Sequence, residues 1–257
     1  MRVVTVRGVN IGEAIPKIGV SISEKTKENI LTKGRAIAES PGDVVEWRVD
    51  FYEGDSISEV LEVLKELRMV IGELPLIFTF RNRDEGGEKA LVLSDYIQLI
   101  QGAIQSGDVD IIDVEVFKAG LLETSYLDEV IDLAKEHEVK VMASNHDYTA
   151  TPSKETMFST LRAMTRLGVD LVKIAVMPES MQDVLNLLSA SEWYASWEGA
   201  IPFIAISMGE LGRVSRYCGE NIGSALTFGV LGNQSAPGQI QVRELKELLI
   251  ENHKAER

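Results

Sequence analysis

Lys140-Val141-Met142-Ala143-Ser144 and Leu171-Val172-Lys173-Ile174-Ala175-Val176 are short apolar runs separated by a stretch of helical spacing. That stretch opens at Pro152-Ser153, sets Met157, Leu161 and Met164 on one face, and ends at Gly168. A strand, an amphipathic helix and a second strand in that order form a βαβ unit. The same alternation predicts strands at Lys17–Ile22, Val44–Phe51, Leu76–Phe80, Ile111–Val116, Phe203–Ser207 and Ala225–Phe228. Helical stretches lie between them. Ser56 opens one with Glu59 in capping-box position, and Gly72 closes it. Ser94 opens another that stops near Gly107. Eight βα units in 257 residues fit an α/β (β/α)8 TIM barrel. The competing doubly wound sheet is weakened by the lack of GxGxxG after the first strand and of GxxxxGK[ST]. Residues 1–14 precede the first unit and read as an N-terminal β-hairpin closing the barrel floor. Residues 1–257 read as one domain.

Composition narrows the function. The chain is 45% hydrophobic, enough for a large core, and has no apolar run near the roughly 20 residues that span a bilayer. The start, Met1 to Arg7, alternates like a strand and lacks an apolar signal core. Cys218 is the only cysteine, so no internal disulfide can form, and a cytoplasmic protein is expected. The net charge of −14 argues against nucleic acid, and an anionic guest would need arginines focused in a cleft. His137, His146 and His253 have no paired ligand spacing, and HExxH and CxxC are absent, so no metal is expected.

The unusual residues fall where a barrel keeps its chemistry, at the C-terminal ends of the strands. Lys173 sits among branched aliphatics, where desolvation lowers a lysine's pKa and frees an amine for attack on a ketone. By period two, Glu46 and Arg48 face inward in Glu46-Trp47-Arg48-Val49-Asp50-Phe51. Arg81 follows Phe78-Thr79-Phe80 and leads into Asp84-Glu85-Gly86-Gly87; Asp113 and Glu115 lie in strand four; His146 ends strand five; Ser215-Arg216 follows strand seven. Each has a plainer reading. Lys173 could snorkel to water, His146 and the Asp84–Gly87 stretch could be solvated turns, Ser215-Arg216 could be surface, and Asp113 and Glu115 read best as ion pairs filling the barrel. His137 and His253 read as a helix-dipole partner and a solvated tail residue, and Cys218 as packing. Their collection at one barrel end favours one site. Strands five and six are sequential neighbours, so a base on one and an amine on the next could reach adjacent carbons of a small ring.

Glu46-Trp47-Arg48-Val49-Asp50, Phe78-Thr79-Phe80-Arg81 with Glu85-Gly86-Gly87, Ser144-Asn145-His146-Asp147, Lys173-Ile174-Ala175-Val176-Met177-Pro178, Ser215-Arg216 and Ser235-Ala236-Pro237-Gly238-Gln239 occur in this order. With them the chain, from about Pro16 to its end, resembles type I 3-dehydroquinate dehydratase. The resemblance implies a cofactor-free lyase of the shikimate pathway that converts 3-dehydroquinate to 3-dehydroshikimate and water by syn elimination. It implies that Lys173 forms the imine, His146 is general base and then general acid, and Glu85 orients His146. Arg216 would hold the substrate carboxylate, with Arg213 as the competing choice. Glu46, Arg48 and Arg81 would bind ring hydroxyls and keep positive charge near Lys173. Ser21, Met208, Ser235 and Gln239 would complete the pocket, the last two on a loop that orders over the ligand. Relatives imply a homodimer. Two rivals stand beside this reading: a class I aldolase or transaldolase, which also uses a barrel lysine, and an inactive barrel serving as a binding protein.

Overall fold

The computed structural model describes residues 2–118, 121–122, 124–232 and 236–255. Eight parallel strands curl into a barrel: Lys17–Ile22, Val44–Arg48, Leu76–Thr79, Ile111–Glu115, Lys140–Asp147, Leu171–Val176, Phe203–Ser207 and Leu226–Val230, here barrel strands one to eight. Each pairs with the next in chain order from one to seven, and strand eight pairs with strand one. Ile240–Gln241 adds a short parallel ladder to strand eight.

Alternation sorts the side chains into two cores. Val20, Trp47, Phe78, Ile112, Ala143, Val172 and Phe203 point outward and pack with the helices. Val44, Ile77, Ile111, Met142, Leu171, Ile204 and Leu226 point inward at the barrel's lower end. The expected hairpin is present as Val4–Val6 against Val9–Ile11, and its buried Val4, Val6 and Ile11 join this inner cluster. The barrel thus has an apolar plug at one end and its polar inward residues at the other.

Helix Ile57–Ile71 carries the Ser56–Glu59 capping box and ends at Gly72, and Lys154–Thr165 is capped by Ser153 with Met157, Leu161 and Met164 buried. Boundaries differ from expectation in several places, and three of the differences change a reading. Strand two ends at Arg48, and Val49–Phe51 form a 3-10 turn, so Asp50 leaves the strand's alternation. The helix Leu93–Ser106 starts behind Val92, so Ser94 lies within its first turn, its hydroxyl against Asp95 at 3.3 Å. Strand five runs on to Asp147, carrying His146 in regular extended structure rather than in a turn.

The closure between strands seven and eight is the exception in the barrel. Its backbone pairing is reduced to the Phe203–Ser224 bridge and the Ala225 N–H donating to Phe203 O at 2.8 Å. Further up, the Ala205 N–H donates to Ser224 Oγ at 3.2 Å and the Ser207 N–H to Ser215 Oγ at 2.9 Å. On the strand-eight side, Arg216 Nη1 donates to Phe228 O at 3.3 Å. Side chains satisfy groups that a continuous ladder would have paired.

Candidate active site

Lys173 occupies the inward position between Leu171 and Ala175, level with Ser144 of strand five and Ile204 of strand seven. Its Nζ is 3.6 Å from Glu46 Oε1, 3.9 Å from Asp113 Oδ2 and 4.5 Å from the centroid of the Phe228 ring. That ring lies against strand one, where a Cβ on Gly19 would come within 2.8 Å of it. Only a glycine leaves it room. Burial drives the Lys173 pKa down, and Arg81 and Arg48 add to the fall, while Glu46 and Asp113 oppose it; the net direction is downward.

Glu46 and Arg48 face inward as the alternation requires. Ser21 Oγ donates to Glu46 Oε2 at 2.5 Å and Thr79 Oγ1 to Oε1 at 3.2 Å. Burial alone would raise the Glu46 pKa, but Lys173, Arg48, the Ser21 hydroxyl and Arg81 together hold it below its ordinary value. Arg81 is a hub. It donates to Asp113 at 2.7 Å, Ser144 at 2.9 Å, Glu115 at 3.1 Å and Glu85 at 3.4 Å. Asp113 and Glu115 therefore do fill the barrel as ion pairs. Arg81 lines the cavity, yet these partners hold most of its donors and fit it better to setting charge than to gripping hydroxyls.

His146 sits one inward layer above Lys173, level with Ala175. Its Nδ1 is 3.0 Å from Glu85 Oε2, which also accepts the His146 backbone N–H at 3.0 Å. Glu85 is carried by a 3-10 turn, Arg83–Glu85, ended by Gly86 at φ 83. The next residue must also be glycine, since a Cβ on Gly87 would lie 1.8 Å from Arg81 O. Burial pushes the His146 pKa well below its ordinary value, reinforced by Arg81, Lys173 and Arg48. Burial pushes Glu85 well up, with Glu115 and Asp113 adding to it against the opposing pull of Arg81. With Nδ1 turned to Glu85, the other ring nitrogen of a neutral imidazole keeps its lone pair for chemistry.

Arg216 is 1% exposed and, among the described residues, has no carboxylate within ion-pair distance. Nη2 donates to Pro237 O at 2.8 Å, Nη1 goes to Phe228 O, and Nε is buried without a partner. Burial lowers its pKa to about 10. A desolvated cation without a counterion is costly unless a bound anion completes it. Arg213 answers differently: it is on the outside, donating to Glu244 at 2.7 Å.

One cavity is lined by Ser21, Glu46, Arg48, Arg81, His146, Lys173, Met208, Arg216 and Gln239. Glu85 stands behind His146, and Ser235 lies outside the described residues. Tyr148, Ala175, Ile206, Phe228 and Ala236 also line the cavity and were not expected. Tyr148 and Ala175 had a legible signal, since each is two residues beyond an inward site residue on its strand or just past it. Phe228 had none, because an aromatic in strand eight reads equally as core.

Chemistry at the strand C-termini, with a desolvated amine beside a histidine–carboxylate pair and a buried guanidinium that has no carboxylate partner among the described residues, defines a (β/α)8-barrel enzyme for a small anionic carbonyl compound. The type I 3-dehydroquinase model matches residues 18–256. A 3-dehydroquinate dehydratase of Clostridioides difficile is 46% identical over 99% of this chain and 98% of its own length, and one from Salmonella typhimurium 42% over 99% and 100%. A crystal structure of type I 3-dehydroquinate dehydratase from Clostridium difficile with covalently modified comenic acid superposes with TM-score 0.94, at 45% identity over 99% of both chains. That of the Geobacillus kaustophilus 3-dehydroquinate dehydratase gives 0.93 at 33% identity, over 100% of this chain and 98% of its own. The chain belongs to the type I 3-dehydroquinase family. This membership makes it a hydro-lyase and sets aside the aldolase and binding-protein readings.

Proposed function

We propose that Lys173, His146 and Glu85 carry out the dehydration of 3-dehydroquinate to 3-dehydroshikimate, a shikimate-pathway step, with Arg216 holding the substrate carboxylate. The observation that carries this assignment is Arg216. It is a fully buried cation with no carboxylate partner among the described residues, lining the same cavity as a desolvated lysine. A ring acid bearing a ketone satisfies both ends at once.

Neutral Lys173 attacks the ketone, and the carbinolamine hydroxyl leaves as water with a proton taken up from solvent, giving the protonated imine. The free nitrogen of His146 removes the proton from the adjacent carbon, and the imine nitrogen takes up the electron pair. The electrons then return to expel the β-hydroxyl, which leaves as water with the proton from His146. Hydrolysis of the imine releases the product and restores Lys173. Glu85 keeps Nδ1 occupied so that the reacting nitrogen is the one in the cavity. Glu46 and Arg48 meet the ring hydroxyls, and Ser21, Met208 and Gln239 complete the walls, with Ser235 included by analogy with the family pattern. We carry over a homodimer and a cytoplasmic location on the same analogy. Among the described residues no helix is long and apolar enough to cross a membrane.

Ultraviolet monitoring with 3-dehydroquinate tests the reaction, because only the product is conjugated. Borohydride added during turnover should place a ligand-sized mass on the Lys173 peptide. Trapping that persists in Lys173→Ala would show another amine at work.

A further inference from the structure

Asp50 has no part in the chemistry above, yet it is 0% exposed beside the site. Its two carboxylate oxygens take the Arg48 guanidinium side-on, with Nε to Oδ1 at 2.7 Å and Nη2 to Oδ2 at 2.7 Å. The carboxylate is itself fixed by backbone: the Arg81 N–H reaches Oδ1 at 3.4 Å and the Glu88 N–H reaches Oδ2 at 3.1 Å. The other face of Arg48 lies 4.9 Å from the Phe51 ring centroid. A guanidinium held in a two-point fork and stacked on a ring has little freedom left. Arg48 lines the substrate cavity while Asp50 does not, and Nη1 is the one guanidinium nitrogen with no hydrogen bond among the described residues.

We propose that Asp50 is a positioning residue: it clamps Arg48 so that Nη1 faces the ring hydroxyls, and it neutralises the guanidinium beside the imine-forming lysine. This rests on the reading of Lys173 as the reactive amine. The second half follows from the charges around Lys173. Glu46 and Asp113 favour its ammonium, while Arg48 and Arg81 oppose it, with His146 one layer above. Arg48 itself faces Glu46, Asp50 and Arg81. Removing the charge of Asp50 leaves Arg48 without its hydrogen-bonded counterion, with Glu46 the carboxylate still facing it, so the field at Lys173 becomes more positive and its ammonium less stable. The same field acts on His146. The 3-10 turn after strand two puts Asp50 in reach, since in a continued strand it would alternate with Arg48 along the same row rather than fold back onto it.

The test uses Asp50→Asn, which keeps shape and removes charge. Two quantities are read: KM and kcat for 3-dehydroquinate, and the pH midpoint for alkylation of Lys173 by propionaldehyde with cyanoborohydride, followed by mass spectrometry. The first is expected to show KM raised about tenfold with a smaller fall in kcat. The second needs no turnover and is expected to shift to lower pH by about half a unit. Unchanged KM and midpoint in a folded Asp50→Asn protein overturn the proposal, as does a midpoint that moves up. Arg48→Met and Arg48→Met with Asp50→Asn form the second comparison, which decides alone if Asp50→Asn does not fold by circular dichroism. Equal KM and midpoint in this pair show that Asp50 acts through Arg48; a further change in the double variant overturns that. A parent protein without turnover would sink the proposed reaction, while the midpoint comparison would still decide the role of Asp50.

Discussion

Lys173, His146 and Arg216 are all buried ionisable groups whose surroundings weaken their hold on a proton. The consequence differs for each. For Lys173 and His146 it favours the neutral form that reacts, so both should lose reactivity as the pH falls through their lowered pKa values and keep it above them. In His146→Ala the lysine and its neighbours remain, so borohydride should still trap an adduct while kcat falls by a factor on the order of 10² or more. Near-wild-type turnover of that variant would exclude His146 as the base. For Arg216 the depressed value records a cation waiting for an anion. Arg216→Ala should raise KM for 3-dehydroquinate by a factor on the order of 10², whereas Arg213→Ala, which cuts exposed pairs with Glu244 and Glu210, should leave KM within about twofold. The reverse ranking in steady-state kinetics would move the carboxylate site to Arg213.

The turn carrying Glu85 shows how an element sets a residue's chemistry. Gly87 cannot take a Cβ without displacing the Arg81 carbonyl, and Glu85 sits two residues away behind His146. Gly87→Ala should therefore lower kcat by about tenfold or more with a smaller change in KM, because misplacing a positioning group costs rate before binding. A variant with normal kcat would show that the turn is more compliant than this close approach implies. The turn was legible in Asp84-Glu85-Gly86-Gly87 as a motif, though not the reason for its second glycine, which is a contact with backbone five to six residues earlier. The same limit recurs elsewhere. Period two in strand two gave the directions of Glu46 and Arg48 correctly, but it carried Asp50 along with them, because alternation cannot register where a strand stops. Capping chemistry located the helices Ile57–Ile71 and Lys154–Thr165 through Ser56 and Ser153, whose hydroxyls accept the backbone N–H three residues on. It failed at Ser94, where Val92 caps the helix with no side-chain bond and tertiary packing decides the start. Phe228 and Ile206, which line the cavity without polar chemistry, were hidden because an apolar inward residue reads as core at either end of a barrel.

At the scale of the molecule the two ends of the barrel divide the labour. The lower end is held by the hairpin, whose Ile11 is fully buried against inward residues from several strands. Ile11→Ala should cost about 2–4 kcal/mol of unfolding free energy with KM unchanged, measurable by urea titration alongside kinetics. A loss of substrate affinity equal to the loss of stability would mean that the floor and the mouth are not separable. The upper end trades stability for charge: Arg81 gathers three carboxylates and Lys173 lies near Glu46 and Asp113, an arrangement held together by mutual pairing rather than by apolar contact. The join between strands seven and eight belongs to that end. There the hoop is fastened by a clasp of side chains, and Arg216, with one nitrogen on Phe228 O, another on Pro237 O and a third unoccupied, is part of the clasp. A ligand carboxylate seated on that guanidinium would become one more link in the hoop. Occupancy of the site should thus be felt along the join itself, as slower hydrogen exchange at the Ala205 and Ser207 amides that now rest on serine hydroxyls.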